Sequence, residues 1–217
     1  MLFRFKARRS TLWILAGDLL MFVGLGAVLY FVWFESDGAT YQHVQRAEFA
    51  KAVANKSGPP ASNKSPAEMS KILKRAGSAL QSPRDARAFA QLTIPSVKLD
   101  VIVREGVDNA TLRLAVGHLE QSAMPGAPGN SILFGHRDTF FRPLRDLKTG
   151  DIAEVRTTTG LFRYRIDDIK VVGPQDLDVT QPLDRAALTL ITCFPFSYIG
   201  PSPRRYVARG FLLQNRQ

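Results

Sequence analysis

The chain has 217 residues, 45% hydrophobic and 22% charged, with a formal net charge of +10. This balance is ordinary for a globular protein carrying one membrane helix, and a single cysteine excludes an internal disulfide and with it a stapled secreted framework. The positive excess points to anionic surroundings such as lipid headgroups, wall polymer or nucleic acid, although Arg4, Lys6, Arg8 and Arg9 alone supply four of the charges.

Residues 1–10 form a short basic segment. Thr11 to Phe34 is then a nearly unbroken apolar run, which as a helix would span about 36 Å, enough to cross a hydrocarbon core. Trp13 stands near one end and Tyr30 and Trp33 near the other, where aromatic belts are expected. Positive charge before the run and Glu35 and Asp37 after it predict a cytoplasmic N-terminus and an extracytoplasmic remainder. No small-x-small cleavage site closely follows Phe34, which favours an uncleaved anchor over 11–34 rather than a signal peptide. Asp18 lies inside the run, close enough to the basic flank to snorkel or pair there.

Residues 35–88 read as an extracytoplasmic stalk. Ala39 to Lys56 has apolar positions at near-helical spacing, and Ser57-Gly58-Pro59-Pro60 breaks it. A second helix is expected from Ser65-Pro66 to Gly77. His43 sits on this stalk with no ligand-forming neighbour and reads as a surface histidine.

Residues 89–217 form the compact domain. Short runs rich in Val, Ile, Phe, Thr and Tyr predict strands at 92–94, 99–103, 131–134, 151–156, 162–166, 169–172, 188–193 and 206–213. Thr157-Thr158-Thr159-Gly160 reads as a hairpin turn, and 108–116 and 142–147 as short helices. About eight short strands with few helices predict a mainly β fold closed into a barrel.

The chemistry-bearing residues gather at predicted strand ends. Thr189-Leu190-Ile191-Thr192-Cys193 stops at the only cysteine; period 2 places Thr189, Ile191 and Cys193 on one face. A buried structural thiol is the competing reading, since free cysteine packs as a small hydrophobe. His136 ends the run Ile132-Leu133-Phe134-Gly135, while His118 falls in an expected loop. One cysteine and two widely spaced histidines match no metal pattern, so no metal is expected. A thiol–imidazole pair is more economical, and the shared strand-end placement favours His136 over His118. Arg204-Arg205 precedes the last strand, and either guanidinium could return over the thiol to meet an oxyanion or a substrate carbonyl.

Together these pieces resemble the sortases, membrane-anchored cysteine transpeptidases of bacterial surfaces. Thr189 to Cys193 is similar to the family's TLxTC signature, Gly135-His136-Arg137-Asp138 to its histidine motif, and Arg205-Tyr206-Val207 to its arginine at the head of the last strand. Pro128-Gly129-Asn130, Thr139 to Leu144 and Pro195 to Gly200 extend the likeness, the last resembling a class D-like branch. The resemblance implies an eight-stranded barrel with Cys193 as nucleophile, His136 as acid/base and Arg205 as oxyanion or substrate-orienting group. It further implies that Thr192 and the loop after Cys193 help line a groove for an LPxTG-like sorting signal at the C-terminus of a secreted protein. Arg204 is a second candidate substrate contact, for which solvation or attraction to an anionic wall or membrane is the stronger reading. The second substrate would be an amine acceptor, such as a peptidoglycan precursor, and no cofactor is implied. The stalk carries no Asp-Pro-aromatic lid, which argues against pilin polymerisation. No acidic cluster resembles the calcium site of the housekeeping class.

Two other readings compete: a cysteine peptidase that only hydrolyses, and a non-enzymatic, membrane-tethered module that binds wall polymer. Nucleic acid is not an expected partner, because no aromatic-basic interleaving is present and the domain is expected outside the membrane.

Overall fold

The structure is a computed structural model that describes residues 6–56, 88–198 and 200–213. The first element is a single 51-residue helix, α1 (Lys6–Lys56). It ends where the Ser-Gly-Pro-Pro breaker begins; the breaker and the expected second stalk helix lie outside the described residues. The chain divides into two compact units, 1–40 and 41–217.

In the first unit, every described side chain from Trp13 to Tyr30 is exposed, including Leu20 at 76% and Phe22 at 65%. Among the described residues, no helix span is long and apolar enough to cross a membrane. Side chains are described there without a break only over 16–30, and those of 31–34 in the expected anchor lie outside the described set.

The second unit is built on eight strands: β1 (Ala90–Ile94), β2 (Leu99–Glu105), β3 (Val116–His118), β4 (Asn130–Phe134), β5 (Ile152–Thr157), β6 (Leu161–Val172), β7 (Ala187–Phe194) and β8 (Arg204–Leu212). They close into a barrel in the order β1-β2-β3-β4-β7-β8-β6-β5. The expected mainly β barrel is present, but two of its strands differ from the sequence reading. Residues 162–172, expected as two strands, run on as one, because a register shift between Ile166 and Asp168 absorbs the extra residue opposite β8. Residues 116–118, expected at a helix end and in a loop, form β3 beside β2.

The break before β3 has a local cause. Asp108 caps helix α2 (Asn109–Leu114), its Oδ1 accepting from Ala110 N at 2.9 Å and Thr111 N at 3.1 Å. After Leu114 the backbone turns extended at Ala115. Gly117 then passes so close to Gly106 that an added Cβ would stand 2.3 Å from its carbonyl oxygen. Only glycine fits that crossing.

Alternation along the strands creates two apolar layers. Val103, Leu133, Leu188, Leu190, Tyr206 and Ala208 point into the barrel. Ile132, Ile191 and Val207 point outward and are covered by Val179, from a 3₁₀ turn at Leu177–Thr180. That turn is fixed by polar contacts: Asn130 Nδ2 and Arg209 Nη2 donate to Val179 O at 3.2 and 2.7 Å, and Thr189 Oγ1 donates to Asn130 Oδ1 at 2.6 Å.

Residues 41–56, expected as stalk, pack on the barrel instead. Gln42 is buried and satisfies two backbone groups, donating to Leu114 O and accepting from Ile102 N, each at 2.8 Å. Arg46 Nη2 donates to Asp100 O at 2.8 Å. The guanidinium of Arg104, a fully buried residue, lies 5.2 Å from the Tyr41 ring centroid.

Candidate active site

Three adjacent strands carry the predicted residues to one place. β7 lies between β4, to which it runs parallel, and β8, to which it runs antiparallel. Phe134 pairs with Ile191. Two residues further along each parallel strand direction stand His136 and Cys193. Cys193 is itself the register partner of Arg205 on β8. Ile191 and Val207 belong to the outer layer, so period 2 puts Cys193 and Arg205 on that same outer face. Cys193 and Arg205 thus sit on neighbouring strands at one rim, with His136 two residues beyond the end of the third, and all three residues are half-buried.

The rim is held by backbone and side-chain bonds. Gly135 N donates to Ile191 O at 3.3 Å, and Thr192 Oγ1 donates to Gly135 O at 2.7 Å. Phe141 N donates to His136 O at 2.9 Å, closing the turn after the histidine. Gly135 has no room for a side chain, since an added Cβ would meet the buried Phe141 ring at 2.8 Å. Arg205 Nη1 donates to Ser202 O at 3.2 Å and Arg204 O at 3.0 Å, so the loop before β8 orients its guanidinium. Ser202 Oγ in turn donates to Phe194 O.

The remaining predicted residues are placed differently. Thr192, expected to line the groove, is 3% exposed and its hydroxyl is engaged by Gly135 O. The inward phase of the strand, shared with Leu188 and Leu190, takes it away from the outer face. Arg204 is exposed and pairs with Phe194, one strand step out of phase with Cys193. His118 ends β3 rather than lying in a loop, and is 1% exposed. Its Nδ1 lies 2.9 Å from Glu105 Oε2, and its Nε2 3.1 Å from Ala123 O. This imidazole is tied into the scaffold. Among the described residues no cluster of three or more His, Cys, Asp or Glu side chains could hold a metal.

Beneath Arg205, Tyr206 packs edge-on to Phe196 at 5.2 Å, and Phe196 to Phe194 at 6.1 Å. Burial, reinforced by the Asp151 charge, pushes the Tyr206 phenol up to about 12. This aromatic stack gives the loop after Cys193 a fixed base.

The sortase-domain family model matches residues 92–212, which takes in all three strand ends. The chain belongs to the sortase family. Sortase D of Bacillus subtilis (strain 168) is 36% identical over 129 residues, 59% of this chain and 65% of that relative. Sortase A of Bacillus anthracis is 24% identical over 131 residues, 58% of this chain and 60% of the relative. The chain therefore spans slightly less than two thirds of the curated sortases it matches. Among solved structures, a Clostridium perfringens Sortase D5 transpeptidase superposes with a TM-score of 0.60 at 27% identity, covering 82% of this chain and 99% of that one. The sortase barrel accounts for β1 through β8 as found.

Sequence reasoning gave Arg137 no role, although it directly follows His136. Its Nη2 donates to Gly200 O at 2.9 Å and its guanidinium lies 5.7 Å from the Tyr198 ring centroid. It therefore links the turn after β4 to the loop after β7. The only available signal was the arginine inside the histidine motif itself.

Proposed function

We propose that this sortase is a cysteine transpeptidase that cleaves an LPxTG-like sorting signal and passes the acyl fragment to an amine. The Cys193 thiolate attacks the carbonyl carbon of the scissile peptide bond. Arg205 donates to the oxygen that gains charge, and His136 protonates the departing nitrogen as the C–N bond breaks. The thioester conserves the energy of the amide, so no nucleotide is needed. An incoming amine then attacks the same carbonyl, gives its proton to His136, and releases the thiolate as the C–S bond breaks.

The observation that carries this reading is the convergence of three neighbouring strand ends: His136 and Cys193 lie the same two residues beyond the Phe134–Ile191 pair, and Arg205 lies across from Cys193.

The working arrangement is a basic cytoplasmic segment (1–10), a single-pass anchor (11–34) and an extracytoplasmic remainder. The exposed apolar side chains of α1 over Trp13–Tyr30, broken by Asp18, support an anchor. The acyl donor would then be a secreted protein with a C-terminal sorting signal. The acceptor would be an amine presented on the same side of the membrane, such as one on a peptidoglycan precursor. No metal and no nucleic acid enter the scheme.

The test is incubation of the full chain in detergent with LPxTG-like peptides and an added amine, followed by mass analysis. An acyl adduct on Cys193 and an amine-dependent product are expected. Absence of any adduct across the peptide panel would sink the transpeptidase reading. Adduct formation followed by release only to water would replace it with a hydrolytic peptidase.

A further inference from the structure

Beside the rim lies an open groove of about 740 Å³. Its walls begin with Arg137 and Phe194, the residues directly after His136 and Cys193. Three guanidiniums line it, from Arg137, Arg142 and Arg145, against the single carboxylate of Asp138. Arg145 is partly offset by Asp146, whose Oδ2 lies 3.3 Å from its Nε in an exposed pair. Arg142 has no ion-pair partner among the described residues. Arg137 is fixed by Gly200 O and Tyr198, yet its Nη1 is buried without a hydrogen-bond partner. Such an excess of forked donors suits a planar carboxylate better than a neutral peptide.

The position of the groove relates it to one half of the reaction. His136 must serve both the departing and the arriving nitrogen, so both occupy the same side of the carbonyl. Arg137 directly follows His136 and lines the groove, which brings the groove next to the turn that carries the imidazole. We propose that the groove binds a free carboxylate carried by the acceptor amine, making a carboxylated peptide-like amine the preferred acyl acceptor. This rests on the transpeptidase reading above. In the second half-reaction the acceptor nitrogen bonds to the thioester carbon and the C–S bond breaks. The displaced proton goes to His136, and the carboxylate stays ionised against the arginines throughout.

The same chemistry could instead come from an acidic residue on the leaving fragment of the donor, and the test separates the two sources. The full chain in detergent is given an LPxTG-like donor with either diglycine or diglycine amide, acceptors that differ in the terminal carboxylate. Aminolysis is expected to favour diglycine by about tenfold in kcat/KM, mainly through KM, as for one charge-assisted contact. Arg142→Glu should bring that ratio to about one or below, and Arg142→Lys should restore most of it. A second arm compares donors with Glu or Gln two residues after the scissile bond. Thioester formation with equal use of both acceptors overturns the inference and leaves the transpeptidase reading standing. A preference for the Glu donor without an acceptor preference also overturns it, assigning the groove to the leaving fragment. Failure to form any thioester removes both.

Discussion

Thr192 Oγ1 donates a buried 2.7 Å hydrogen bond to Gly135 O, tying the residue before Cys193 to the residue before His136. Two side chains 57 positions apart in sequence therefore depart from backbones locked one to the other. The bond sits on the inward phase of β7, while Cys193 lies on the outer phase. Position, rather than contact with substrate, is its role.

Thr192→Val should expose that role. It keeps the shape and leaves a buried carbonyl unsatisfied, so unfolding free energy measured by denaturant should fall by about 1–3 kcal/mol. The rate of acyl-adduct formation on Cys193 should fall with it, and Thr192→Ser should recover both. Loss of stability without loss of rate would show that the thiol and imidazole do not depend on this tie.

The two neighbouring arginines should separate cleanly. Arg205 faces Cys193 across the β7–β8 ladder and is half-buried, whereas Arg204 is exposed and out of phase. Arg205→Ala is expected to lower the rate by about 10²–10³, the scale of losing an oxyanion donor. Arg204→Ala should change it less than about threefold, as surface charges far from reacting atoms do. Steady-state cleavage of a labelled peptide measures both, and comparable losses would contradict the phase argument.

Gly135→Ala places a methyl against the Phe141 ring, 2.8 Å from its Cγ and Cδ2. Because Phe141 is fully buried, the strain cannot relax outward. The melting temperature should drop, corresponding to about 1–3 kcal/mol, and His136 should lose its register. Trimming the ring with Phe141→Leu in the same chain should return part of the activity. No change in activity for Gly135→Ala would mean the histidine turn tolerates displacement.

The strand-end placement is legible in sequence because Cys193 and His136 each close an apolar run and Arg205 heads one, and the face that Cys193 shares with Thr189 and Ile191 follows from period 2. The partner relationships were not. That β4 and β7 lie side by side depends on a crossover that local pattern does not encode, and β3 is too short to show a period. The long β6 was divided in sequence because Asp167 and Asp168 interrupt its alternation. In the structure the register shift carries them, and Arg165 Nε holds Asp167 Oδ1 at 2.8 Å. The burial of Thr192 is hidden from sequence for a related reason: proximity to the cysteine says nothing about which side of the wall its hydroxyl occupies.

Tyr206 gives a pH test independent of activity. Its phenol is pushed up to about 12 in the folded chain, while an exposed tyrosine titrates near 10. With the folded value raised, its contribution to stability is complete below about pH 10 and declines as the pH climbs from 10 towards 12. Ultraviolet titration should therefore show a late-ionising phenol that disappears in Tyr206→Phe, with a flatter stability profile over that interval. Simple titration of every tyrosine near pH 10 in the folded protein would contradict the burial described.

The contact made by Gln42 bears on how a fragment without the apolar span should be cut. A fragment beginning at β1 would resemble the catalytic barrel in outline, yet it would strip the cover from Ile102 N and Leu114 O and uncover the guanidinium of Arg104. Trimming just ahead of Tyr41 removes the apolar span and keeps the brace. The last turns of the long helix are thus a clamp laid against a barrel that its eight strands already close.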